Sequence, residues 1–206
     1  MTQDQALDIL KTGANIFLTG EPGAGKTHTI NNFVNYLRTS GVEPAITAST
    51  GIAATHIGGM TIHSWSGIGI RTKLDKYDLD KIASSEYISK RVRRTRILII
   101  DEISMLSTNM LDMVDMVCRE IKQNDEPFGG IQIILVGDFF QLPPIVKRNN
   151  LEKENKLIKD APCFGIFAYD AGAWERARLV ICYLMEQHRQ DDAPFLSVLS
   201  GIRTNN

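Results

Sequence analysis

The 206 residues, 43% hydrophobic and 23% charged, have the composition of one soluble globular domain and are few for two. The 23 basic and 24 acidic side chains leave a formal net charge of -1, so nucleic-acid binding by bulk charge is excluded and any basic surface must be local. Three scattered cysteines (Cys118, Cys163, Cys182) without CxxC spacing argue against a disulfide framework or zinc site, and the sequence lacks both a secretory leader and a run near the roughly 18 apolar residues of a membrane span, so a cytoplasmic location is expected.

The first apolar, β-branched run is residues 15–19 (NIFLT), which reads as a strand. It leads directly into Gly20-Glu21-Pro22-Gly23-Ala24-Gly25-Lys26-Thr27 and then a helical stretch. This is GxxxxGK[ST] in the strand–loop–helix setting that the phosphate-binding loop requires. Its glycines let backbone N–H groups turn inward around phosphate oxygens, and the helix adds its positive end. Lys26 would reach the β- and γ-phosphates of ATP, the Thr27 hydroxyl would ligate Mg²⁺, and His28 lies close enough to touch an α-phosphate.

Residues 45–48 make a weaker strand candidate. Residues 96–100 (RILII) make a strong one, ending in the adjacent carboxylates Asp101 and Glu102. At the carboxyl end of a parallel strand these face the ligand crevice. There Asp101 suits a Mg²⁺ contact and Glu102 a general base for water. After Ser107, a plausible N-cap, apolar residues recur at three- and four-residue spacing from Met110 to Ile121, one face of a helix. Residues 127–130 (PFGG) read as a surface loop. The strand of residues 131–136 (IQIILV) runs into Gly137-Asp138-Phe139-Phe140-Gln141-Leu142-Pro143-Pro144, whose Gln141 amide can sense a γ-phosphate. The charge-dense residues 149–160 read as an exposed insertion, and residues 180–184 as a last strand. Nearly all-apolar strands alternating with helices, together with the phosphate loop, predict an α/β, P-loop NTPase fold: three αβα layers around a mainly parallel sheet.

In order along the chain, these segments resemble the Pif-family (petite integration frequency) DNA helicases, in the RecD-like branch of helicase superfamily one. Thr2-Gln3-Asp4-Gln5 is similar to the family's adenine-reading motif, with Gln5 in the contact role. GEPGAGKT, residues 46–54 (ITASTGIAA), residues 59–69 (GMTIHSWSGIG), IIDEISML, PFGGIQ and LVGDFFQLPP match its successive motifs. Glu186-Gln187-His188-Arg189-Gln190 resembles the motif whose arginine, here Arg189, contacts the γ-phosphate. The resemblance implies that residues 1–206 form the first RecA-like motor lobe. A second lobe bearing an arginine finger is expected in the full-length protein. It further implies ATP- and Mg²⁺-driven, 5′-to-3′ travel on single-stranded DNA, with a forked duplex or guanine quadruplex as possible substrates. Alternatives are a RecD-like recombination subunit or a non-motor P-loop ATPase.

Single-strand binders combine phosphate-tracking polar groups with aromatic stacking surfaces. Thr50 and Gly51 could meet a phosphate, and Thr61, His63 and Trp65 offer hydrogen bonds and a ring. The same cluster also reads as a packed turn with Trp65 in a satellite core. Lys90, Arg91, Arg93, Arg94 and Arg96 form a basic run that reads as a solvated helix end, with phosphate contact as the open alternative.

Overall fold

The computed structural model describes residues 1–144 and 166–186. Six strands, β1 (Ile16–Gly20), β2 (Ala45–Ala48), β3 (Met60–Thr61), β4 (Ile97–Asp101), β5 (Gln132–Val136) and β6 (Val180–Leu184), form one parallel sheet. Their order is β3-β2-β4-β5-β1-β6. Three strands from the apolar runs lie side by side at its centre, and their alternate residues enter different cores. Phe17, Leu98, Ile100, Ile133 and Leu135 enter one; Ile16, Leu18, Ile97, Ile99, Ile134 and Val136 enter the other. A period of two with both phases buried is why these strands read as unbroken hydrophobic runs.

Helices α1 (Gln3–Lys11) and α2 (Lys26–Thr39) cover the second core. On α2, Ile30, Phe33, Val34 and Leu37 are buried at helical spacing. The short α3 (Gly51–His56) links β2 to β3. The first core lies under α4 (Ile62–Ser66), α5 (Lys76–Ser84), α6 (Glu86–Arg94), α7 (Thr108–Lys122) and α8 (Gly172–Ala177). The expected three-layer α/β arrangement is therefore present. Ser107 caps α7 as its position suggested, accepting the Met110 N–H at 3.4 Å. Among the described residues, no helix is long and apolar enough to cross a membrane.

Residues 127–130 correct the surface-loop expectation. Pro127–Gly130 is a 3-10 turn in which Phe128 is fully buried. A Cβ on Gly129 would lie 2.7 Å from the Cys118 carbonyl oxygen, so only glycine lets the turn sit this close to α7. Asp115 of α7, also fully buried, holds the turn. Its Oδ1 accepts the Phe128 N–H at 2.7 Å, while Arg176 of α8 and Arg119 lie 2.8 and 3.0 Å from Oδ2. One carboxylate thus fastens α7, the Pro127–Gly130 turn and α8 together. Removing one partner of a buried ion pair leaves the other charge uncompensated, so Asp115→Ala should cost about 3–5 kcal/mol in chemical denaturation. A loss under about 1 kcal/mol would show that the turn is held by packing alone.

Candidate nucleotide site and nucleic-acid interface

Because β4, β5 and β1 are adjacent and parallel, the loops after them open at one edge. The loop after β1 turns into α2 through Gly25, which takes the N-cap position at φ +85 without a side-chain cap. The first turn of α2 therefore presents backbone N–H groups, the anion site that the motif demands. Lys26 Nζ donates to the carbonyls of Gly20 at 2.8 Å and Glu21 at 3.1 Å, folded over the loop it serves. Thr27 and His28 are exposed, and His28 Nε2 lies 3.1 Å from Asn32 Nδ2. Thr27 and Asp101 border one small cavity of about 20 Å³. The rest of that lining is mainly aliphatic, so the cavity itself is no metal site, but it shows Thr27 and Asp101 close together, and a hydroxyl and a carboxylate are oxygen donors of the kind Mg²⁺ takes.

Asp101 ends β4 and accepts the Glu102 N–H at 2.9 Å. Burial raises the Asp101 carboxyl above its ordinary range, against that hydrogen bond and the Lys26 charge. Glu102 is half-buried and held in the left-handed region at φ 53, ψ 45, sparsely populated for a non-glycine residue. Burial raises its carboxyl first and the Asp101 charge second; Lys26 opposes and Asp138 adds to the rise. A raised carboxylate beside the phosphate loop has the character of a proton acceptor.

Gln141 is exposed, but Asp138 ties it down. Asp138 is 1% exposed; its Oδ2 accepts Gln141 Nε2 at 3.2 Å, its Oδ1 the Phe140 N–H at 3.2 Å, and its carbonyl the Gln141 N–H at 2.9 Å. Phe139 anchors the same loop, its ring 4.8–6.1 Å from those of Phe17, Phe167, Tyr169 and Trp174. Neither Asp138 nor Phe139 was assigned a role from sequence, although the i, i+3 spacing of Asp138 and Gln141 is a readable signal. Arg189 lies outside the described residues, as does the insertion at residues 149–160.

At the amino terminus, the Gln5 side chain is partly engaged. Its Oε1 accepts the Thr2 N–H at 3.0 Å in a capping box that starts α1. Gln3 is the glutamine that reaches the phosphate loop. Its Nε2 donates to the Ala24 carbonyl at 3.4 Å and lies 2.1 Å from where a Gly25 Cβ would stand. The sequence reading missed Gln3 because both glutamines lie within one turn and only packing distinguishes them.

The nucleic-acid candidates gather at the same strand edge. Thr50 and Thr61 cap α3 and α4, accepting the Ala53 and Ser64 N–H groups at 3.2 Å. Gly51, exposed, opens α3, and His63 is half-buried, with burial lowering its pKa and favouring the neutral imidazole. Trp65 departs from the expected stacking role. It is 2% exposed and packed with Ile62, Ile68 and Ile82, so its ring faces are covered by protein. Trp65→Ala should therefore cost about 3–5 kcal/mol of stability. Oligonucleotide affinity per folded molecule should be unchanged in a fluorescence titration, and a loss of about 1–3 kcal/mol there would restore the stacking role.

With this geometry established, comparison with known proteins is specific. Residues 3–200 match the family model for PIF1-like helicases. The chain is 48% identical to the ATP-dependent DNA helicase Pif1 of Psychrobacter sp. (strain PRwf-1) over all of its own length and 31% of that protein. It superposes on the crystal structure of Pif1 helicase from Candida albicans with TM-score 0.86 at 34% identity, covering 99% of this chain and 44% of that one. Against Bacteroides Pif1 in complex with ADP-AlF3 and single-stranded DNA the TM-score is 0.81 at 34% identity, covering 98% and 45%. The chain thus spans about a third of the curated relative's length and under half of each solved chain. By its motifs, its sheet order and these likenesses, the chain belongs to the PIF1-like helicase family.

Proposed function

We propose that this chain is the ATP-binding, RecA-like first motor lobe of a DNA helicase that uses Mg²⁺-ATP to travel along single-stranded DNA. One observation carries the reading: three adjacent parallel strands deliver Lys26, the Asp101–Glu102 pair and the tethered Gln141 to one edge. A relative bearing ADP-AlF3 and single-stranded DNA supports both ligands, and a relative solved under the description of unwinding at forked duplex DNA supports a fork as substrate. The family resemblance favours 5′-to-3′ travel, with a guanine quadruplex as a further substrate and a cytoplasmic, nucleoid-associated setting in a bacterial cell.

Each side chain has a task in this reading. Lys26 leaves the Gly20 and Glu21 carbonyls to neutralise the β- and γ-phosphates. Gln5, whose Nε2 is not used by the capping box, would read the adenine base as the family resemblance implies, with Gln3 beside it at the loop. Thr27 and Asp101 would hold Mg²⁺, which supplies charge neutralisation at the phosphates. Glu102 takes the proton of the attacking water, and Gln141 orients that water or reports the γ-phosphate. The family resemblance gives Arg189 the role of a cation on the γ-phosphate. Thr50, Gly51, Thr61 and His63 meet the DNA backbone across the carboxyl ends of β2 and β3. The opposing cation belongs to a second lobe of the full-length protein, and an arginine finger of that kind is worth about 10³–10⁵ in rate.

Lys26→Ala should abolish nucleotide binding, as read by titration with a fluorescent ATP analogue. In the two-lobed protein Glu102→Gln should keep that binding and lose turnover, because an amide accepts no proton from water. Unchanged turnover in Glu102→Gln would remove the general-base assignment. The 206-residue chain by itself should bind nucleotide yet hydrolyse it far more slowly than a two-lobed relative, even with single-stranded DNA in excess. Turnover at the relative's rate would mean that the chain closes its own site.

A further inference from the structure

A cavity of about 740 Å³ opens beside the edge strand β3, between the last turn of α2 and one face of α6. Since α2 starts at the phosphate loop and runs 14 residues back, its last turn lies roughly 20 Å away, at the amino ends of the strands. Arg94, at the end of α6, feeds β4 at the same end. The cavity is therefore separate from the nucleotide site, and through Gly59, Met60 and Trp65 it adjoins the segment that carries Thr61.

Its chemistry is cationic and aromatic. Arg38, Lys90, Arg91 and Arg94 line it against the single carboxylate Glu43, in a chain whose net charge is -1. Arg38 is spent on Glu43 at 2.7 Å. Arg91 is spent on the Ser64 and Trp65 carbonyls and on the Tyr87 ring, 4.9 Å away. Cations in a helix's last turn ordinarily answer its unpaired carbonyls. Here that task is already filled, because Lys122 of α7 donates to the Arg93 and Thr95 carbonyls at 2.9 and 2.7 Å. Lys90 and Arg94 have no hydrogen-bond or ion-pair partner among the described residues. Both are exposed, one helical turn apart, on the face that carries Tyr87, which is 72% exposed. Two unanswered cations in register with an exposed aromatic ring, backed on one face by Arg91, match a nucleic-acid strand, which offers phosphates and stacking faces at short repeats.

We propose that this groove is a second nucleic-acid contact, in which Lys90 and Arg94 hold backbone phosphates and Tyr87 meets a base or sugar face. The proposal rests on the DNA-helicase reading and extends the DNA path from the carboxyl edge of the sheet around β3 to its amino edge. The test uses the 206-residue chain with fluorescent single-stranded and forked oligonucleotides, titrated across salt concentrations, plus a fluorescent polyglutamate peptide. Lys90→Gln with Arg94→Gln should weaken DNA binding about tenfold at low salt. It should also lower the slope of log affinity against log salt by about 1.4 on a single strand or about 1.8 on a duplex arm, at about 0.7 or 0.9 per phosphate. The substrate that responds identifies which strand form lies in the groove. Tyr87→Ala should weaken binding about fivefold or more, the smaller end of a lost stack. ATP-analogue affinity should stay unchanged in all variants, since none of these side chains is near the phosphate loop. DNA affinity and salt slope equal to wild type would overturn the groove assignment and leave the helicase reading standing. A loss confined to polyglutamate would also overturn it, in favour of an acidic protein partner. A wild-type chain that bound neither oligonucleotide would bring down the DNA contacts assigned to this lobe at Thr50, Gly51, Thr61 and His63 and the groove together.

Discussion

In a parallel sheet the carboxyl ends of all strands fall on one edge, and a strand buried on both faces cannot slip register without moving apolar side chains out of two cores at once. β4, β5 and β1 are such strands, paired Ile97 to Gln132 and Ile16 to Ile134. That double burial fixes where Gly20, Asp101 and Val136 end, and hence where the phosphate loop, the acidic pair and the glutamine loop begin. The candidate catalytic residues stand in loops, but the precision of their placement comes from side chains that point away from the site. Substitutions at Leu98 or Ile134 would therefore disturb the chemistry through register, without touching nucleotide.

The face under α7 adds a second tier of support. Asp115 converts one buried charge into three attachments and so joins the Pro127–Gly130 turn to α7 and α8. Trp174, on the α8 so joined, packs 5.0 Å from Phe17 and 5.8 Å from Phe139. The chain of contacts runs from a buried carboxylate, through α8 and a group of rings, to the loop that carries Gln141. These contacts are contiguous, so a displacement of the Gln141 loop, such as the proposed γ-phosphate sensing would bring, would have a packed path to α8. A motif remote from nucleotide can in this way influence the site without a ligand contact of its own.

Most of this was legible in the sequence because the strongest signals are local. The strands at residues 15–19, 96–100 and 131–136 appear within one residue of their observed bounds, and the phosphate loop and acidic pair follow them as read. What escaped was set by tertiary packing. β3 has two residues, too few to show a period, and exists because β2 pairs Thr47 with Met60 and Ala48 with Thr61. Pro127–Gly130 has the composition of an exposed loop, yet the Asp115 carboxylate and a glycine against α7 pull it inside. Gln3 and Gln5 are indistinguishable as letters; helix phase sends one to the phosphate loop and the other to its own cap. Trp65 is the case in which sequence left two readings open, a stacking ring or a packed turn, and burial at 2% exposure favours the packed turn.

Electrostatics explains why this site reads as half of a machine. Among the described residues, Asp101, Glu102 and Asp138 approach a phosphate loop whose one lysine is Lys26. The carboxyls of Asp101 and Glu102 are raised by burial, so that region already resists negative charge. A nucleoside triphosphate brings more, and Lys26 must exchange two carbonyl partners for it. In phosphoryl transfer a divalent cation offsets charge on the phosphates, while the charge on the transferring phosphoryl group and the departing oxygen calls for further preorganised donors. The proposed second lobe would supply such donors from the opposite side of the nucleotide. Under the proposed two-lobed reading, the last source of positive charge would arrive only as the lobes close, which would tie bond cleavage to movement along DNA.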